Sequence, residues 1–108
     1  MNYCDFLFDI PSEYLENIAL IDAENDRKFT YRELQEKVRN LASYLIDKGL
    51  EKKIVVAAYL YNSAELVITH LAIQYAGFVS CLLDPLLKPQ EIPYHLEDSE
   101  AKILFSHL

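Results

Sequence analysis

Apolar residues along this chain switch repeatedly between helical and strand-like spacing. Leu34, Val38, Leu41, Ala42 and Leu45 recur every three or four positions, one face of an amphipathic helix. Thr30 and Glu33 open it with the spacing of a capping box, in which hydroxyl and carboxylate each satisfy a free backbone N–H. Lys48 brings positive charge to the closing end, and Gly49 supplies the residue that terminates the helix. Ile54 to Leu60 is continuously apolar and β-branched at its start, the pattern of a strand buried on both faces. Asn62 and Glu65 repeat the capping spacing before a second helix containing Leu66, Leu71, Ile73 and Ala76, closed by Gly77. Phe78 to Leu83 reads as a second buried strand ended by Asp84 and Pro85.

A third helix is expected from Pro89 to Asp98, with Pro89 in its tolerated first position. Pro93 lies a turn inside, where the missing N–H should kink or delay the helix. Lys102 to Phe105 is a third strand. Upstream, Ile18 to Ile21 and Lys28 to Thr30 flank a six-residue polar stretch, which makes a short hairpin; Asn25 and Asp26 can take the positive φ of its turn. Strands that alternate with helices pair in parallel. The expected fold is therefore α/β: an open three-layer sheet of about three parallel strands and three helices, preceded by a short β-hairpin. Residues 1–108 form a single domain.

Composition narrows the function classes. An apolar content of 52% supports a core, and a net charge of -7 argues against nucleic acid, which needs a basic patch. The adjacent basic pairs, Arg27 with Lys28 and Lys52 with Lys53, are expected to solvate loops. Residues 1–10 lack the basic lead of a signal peptide, and no apolar run reaches the roughly 20 residues of a membrane span. Cys4 and Cys81 match no metal or redox spacing, and Cys81, inside an apolar run, is expected to be a buried thiol. A reducing cytoplasmic setting is inferred.

Several short motifs then line up in order. Phe29-Thr30-Tyr31-Arg32-Glu33-Leu34 is followed by Leu60-Tyr61-Asn62-Ser63, Tyr75-Ala76-Gly77 and Leu83-Asp84-Pro85. Glu91-Ile92, Leu96-Glu97-Asp98-Ser99 and Ala101-Lys102-Ile103-Leu104 continue the series. In this order and spacing, over roughly residues 18 to 106, the chain resembles the opening segment of the adenylate-forming superfamily. That superfamily comprises acyl- and aryl-CoA ligases, peptide-synthetase adenylation domains and luciferases. The resemblance equates the chain with the first part of the large N-terminal domain of such an enzyme. It implies a parent that activates a carboxylic acid with ATP to an acyl-adenylate and passes the acyl group to coenzyme A or a carrier thiol.

The family's phosphate loop, its aromatic-Gly-x-Thr-Glu segment, its ribose-binding Asp and its C-terminal lysine lie further along, and none occurs here. The chain has two glycines, Gly49 and Gly77, and both close helices, which leaves none for a loop that wraps phosphate. Leu86 follows Asp84-Pro85 where many members carry a basic residue. No residue is assigned a catalytic, cofactor-binding or metal-binding role. ATP, Mg and CoA are implied for the parent family only, with no cofactor bound by this chain alone.

Other constellations are weaker. Asp22, Glu24, Asp26 and Glu33 have the acidic offsets of a calcium loop, but Arg27 stands where its turn needs glycine, and Glu33 is better explained as a cap. His70, His95 and His107 have no ligand spacing, and Ser63, Ser80, Ser99 and Ser106 lack the glycines of a nucleophile elbow. Tyr59, Tyr61, Tyr75 and Tyr94 are expected to pack their rings on the core with hydroxyls at the edge, or to mark an interface.

The expected function is that of an N-terminal ligase fragment, inactive alone, whose partner is the missing ligase portion. A stand-alone interaction module that self-associates through an open sheet edge is the alternative. A small-molecule binder at the strand ends, near Asn62, Ser63, Asp84 and Pro85, is a third reading.

Overall fold

Two sheets organise the chain. The computed structural model describes residues 4–51 and 53–106; Lys52 and His107 lie outside the described residues. An antiparallel hairpin joins β1 (Ile18–Asp22) to β2 (Arg27–Thr30), and α2 (Tyr31–Asp47) follows without a break. It is preceded by a short helix, α1 (Asp5–Phe8), and a 3₁₀ turn, Ser12–Tyr14. Then come β3 (Val55–Tyr59), α3 (Ala64–Tyr75), β4 (Val79–Leu82), α4 (Ile92–Ser99) and β5 (Ala101–Ser106). β3, β4 and β5 form a parallel sheet in the order β4-β3-β5.

The three layers follow from strand alternation. Successive side chains of β3 point to opposite faces. Val56 joins Val38, Leu45, Ala72 and Ile73 in the core beneath α2 and α3, whereas Ala57 packs with Leu83 and Ile92 on the α4 side. Leu45, Val38, Val56 and Ile73 are fully buried, each worth about 1.5–3 kcal/mol relative to an exposed side chain.

Most local expectations hold. Thr30 caps α2 with a complete capping box. Gly49 (φ 70°) and Gly77 (φ 93°) take left-handed conformations just past α2 and α3. In the hairpin turn Asp26 takes the positive φ; Asn25 does not.

Three details differ. Phe78 to Leu83 is not buried on both faces: β4 is an edge strand whose Val79 and Leu82 are exposed, because β3 occupies the centre. The second helix is capped by Ser63, whose hydroxyl accepts from the Leu66 N–H, and not by Asn62 paired with Glu65. The third helix is delayed as Pro93 demands: Pro89–Glu91 form a 3₁₀ turn, and the α-helix starts at Ile92, which puts Pro93 in its first turn.

The buried thiol is Cys4, which donates to the Leu71 carbonyl at 2.8 Å; Cys81 is only half-buried on the edge strand. Burial pushes the Cys4 thiol above its ordinary pKa. α1 is anchored by the same region: Phe8 stacks on Tyr75 at 4.4 Å, Arg39 lies over the Phe8 ring, and Gln35 donates to the Leu7 carbonyl.

Candidate functional site

In open parallel sheets, ligands lie beyond the carboxyl ends of the strands, where the strand order reverses. Here the chain leaves β3 for β4 on one side and returns to β5 on the other, so the loop after β3 lies at that rim. A cleft of about 590 Å³ opens there between the hairpin turn and the start of α3. It is lined by Glu24, Asn25 and Arg27 from the hairpin and by Tyr61, Asn62, Ser63 and Glu65 from the β3–α3 connection.

A charged cluster centred on Asp22 lies beside it and contributes Asn25, Arg27 and Glu65 to its lining. The Asp22 carboxylate accepts from Arg27 at 2.7 Å, from the Asn25 side chain at 3.1 and 3.2 Å, and from the Ala64 N–H at 3.2 Å. Arg27 also donates to Glu65 at 2.7 Å. Hydrogen bonding to Arg27 first, then to the Ala64 N–H and to Asn25, holds the Asp22 carboxyl down to about 2. Arg27 likewise lowers Glu65, and its two carboxylate partners raise Arg27 itself.

Two of the first-turn donors of α3, the groups a helix offers to an anion, are engaged in this way. Ala64 N–H goes to Asp22 and Leu66 N–H to Ser63. The start of α2 is spent in the same way: Tyr31 N–H bonds the Asn17 carbonyl, Arg32 N–H the Leu15 carbonyl and Glu33 N–H the Thr30 hydroxyl. A phosphate needs several converging donors that are free. At these two helix starts such donors are already engaged within the chain.

Several of the other residues singled out by sequence are engaged within the fold. The oxygens of Asp22 face Arg27, Asn25 and Ala64, and Glu33 accepts from the Thr30 N–H, so neither completes a calcium loop. Among the described residues, no group of three or more acidic, histidine or cysteine side chains could hold a metal ion. His70 meets Ser80 across α3 and β4 at 2.7 Å, and His95 sits edge-on to Tyr94. Asp84 closes its own turn by accepting from the Leu86 N–H. Of the four tyrosines, Tyr59 matches the core-packing expectation, donating its hydroxyl to the Leu87 carbonyl; Tyr61, Tyr75 and Tyr94 are exposed. Sequence brought Asn62 and Ser63 to this rim but missed Asp22 and Arg27. Asp22 bonds Ala64, 42 residues on, and Arg27 bonds Glu65, 38 residues on, and no local spacing marks either contact.

Comparison with known proteins places this architecture. The family described as AMP-binding enzyme matches residues 8–108. Bacitracin synthase 3 of Bacillus licheniformis is 39% identical over 100 residues, covering 93% of this chain and 2% of that protein. 4-Coumarate–CoA ligase 1 of Solanum tuberosum is 32% identical over 105 residues, 97% of this chain and 19% of the ligase. The chain thus spans at most 19% of the length of these two relatives. Among solved structures, the Klebsiella oxytoca NpsA N-terminal subdomain in complex with 3-hydroxyanthranilyl-AMSN superposes with a TM-score of 0.86. It is 31% identical, and the match covers 97% of this chain and 26% of that one. A benzoate CoA ligase from Burkholderia xenovorans LB400 gives a TM-score of 0.86 at 28% identity, over 96% of this chain and 21% of the ligase. Matched along nearly all of its length, the chain belongs to the AMP-binding enzyme family.

Proposed function

We propose that this chain is the N-terminal portion of an ATP-dependent acyl-activating ligase and serves as scaffold within it, without catalysis of its own. The whole enzyme joins a carboxylic acid to AMP and then transfers the acyl group to coenzyme A or a carrier thiol. ATP, Mg and CoA belong to that whole. The observation that carries this reading is the family match over residues 8–108, set beside the 19% of a plant CoA ligase that the chain spans. The start of α3 is in keeping with it, since its Ala64 and Leu66 N–H groups are engaged by Asp22 and Ser63. Acyl-dependent exchange of pyrophosphate into ATP tests it: the purified chain is expected to give none.

A second reading, an interaction module that pairs with its own kind, is favoured by one observation. The edge strand β4 presents Val79 and Leu82 at 47% and 46% exposure beside a backbone edge that pairs with no further strand among the described residues. Light scattering decides this reading: a dimer that persists on dilution supports it, and a monomer at every concentration removes it.

A further inference from the structure

We infer that Asp22 is a positioning residue: from the end of β1 it fixes the loop of residues 60–63 at the carboxyl rim of the parallel sheet. β1 belongs to the other sheet, so nothing in the strand ladder ties it to this loop. The tie is made by side chains. Asp22 is 6% exposed, and one of its oxygens receives both the Arg27 guanidinium and the Ala64 N–H. Arg27 then reaches across to Glu65, so that two hairpin residues grip the first two residues of α3. Ser63 completes the hold from within the loop, its hydroxyl accepting from Leu66 and donating to the Tyr61 carbonyl at 2.9 Å.

The tether matters because Tyr61, Asn62 and Ser63 line the rim cleft and form the link between the end of β3 and the start of α3. The carboxylate fixes where α3 begins and hence how far the chain can swing between β3 and α3. A bond to an ionised acceptor is stronger than one between neutral groups. Arg27 keeps Asp22 ionised well below neutral pH, so the hold does not depend on pH across the physiological range. The inference rests on the proposed function only for the loop's importance; the tether itself is read without any enzymatic assay.

Amide hydrogen exchange on the chain as it stands provides the test. In Asp22→Ala, exchange at Ala64 is expected to accelerate roughly tenfold or more, the scale of losing a charge-assisted hydrogen bond. The Glu33 amide, under its own capping box, should keep its rate. Asp22→Asn, which retains a carbonyl acceptor, should restore part of the Ala64 protection. Unchanged exchange at Ala64, or one common factor at every amide, would overturn the inference; so would a change confined to Asn25, which would make Asp22 a hairpin residue only. If Asp22→Ala does not fold, the wild type still decides. The Asp22 carboxyl carbon itself should titrate below the ordinary aspartate value of about 4, and an unshifted titration there would refute the tether. Pyrophosphate exchange by the chain alone would contradict the proposed function and leave this result standing.

Discussion

Replacing Leu45 with alanine removes side-chain carbons from a position with no solvent exposure, where α2 meets α3 and β3. The lost transfer free energy and the residual cavity together put the cost at about 2–5 kcal/mol. A domain of this size holds about 5–15 kcal/mol in total, so this one change consumes a large share. At roughly 4–8 °C per kcal/mol, the melting temperature should fall by about 10 °C or more. The neighbouring Ile46, 49% exposed on the same helix, provides the control. Ile46→Ala gains helix propensity and should stay within about 0.5 kcal/mol of wild type. Urea unfolding followed by circular dichroism reads both variants, with a shifted midpoint and an unchanged slope expected for Leu45→Ala. Equal midpoints for the two variants would refute the assignment of the core to this face of α2.

Two further outcomes follow from the local chemistry. Thr30→Ala removes the acceptor of the Glu33 N–H, bonded at 3.1 Å, and should cost about 0.5–2 kcal/mol in the same assay; no loss would mean the capping box contributes nothing. Asp22 is depressed to about 2 in the fold, against about 3.9 in the unfolded chain. Its contribution is therefore complete above the unfolded value and is lost as pH falls through the folded one. Glu65, also lowered by Arg27, acts in the same direction. Arg27→Met should flatten this acid limb when urea midpoints are plotted against pH, and an identical slope in the variant would contradict the ion-pair account.

What the sequence disclosed depended on how local each cause is. The Thr30–Glu33 box and the terminating Gly49 and Gly77 act within one helical turn, so spacing alone revealed them. The choice between Asn62 and Ser63 as cap was not legible, since both are good capping residues one position apart. In the fold Ser63 takes the cap, and Asp22 meets the next residue, Ala64, from another sheet. The apolar run of β4 likewise carries no statement of strand order, and centre or edge is settled only when β5 returns to the far side of β3. α1 is too short to persist on its own helical pattern and is held by Phe8 on Tyr75 and by the Cys4 thiol on Leu71. The family was legible because its motifs lie in these same caps and strand ends. The rim cluster was not, because its members come from β1, β2 and α3.

The central claim is that the chain is scaffold within an acyl-activating ligase and has no adenylation chemistry of its own. Pyrophosphate exchange into ATP tests it most directly, run on the purified chain with Mg–ATP and a panel of aromatic, aliphatic and amino acids. A complete CoA ligase of the family serves as the positive control. The account predicts exchange by the complete enzyme and none above background by this chain with any acid. Acid-dependent exchange that scales with the amount of chain, and survives its repurification, would contradict it.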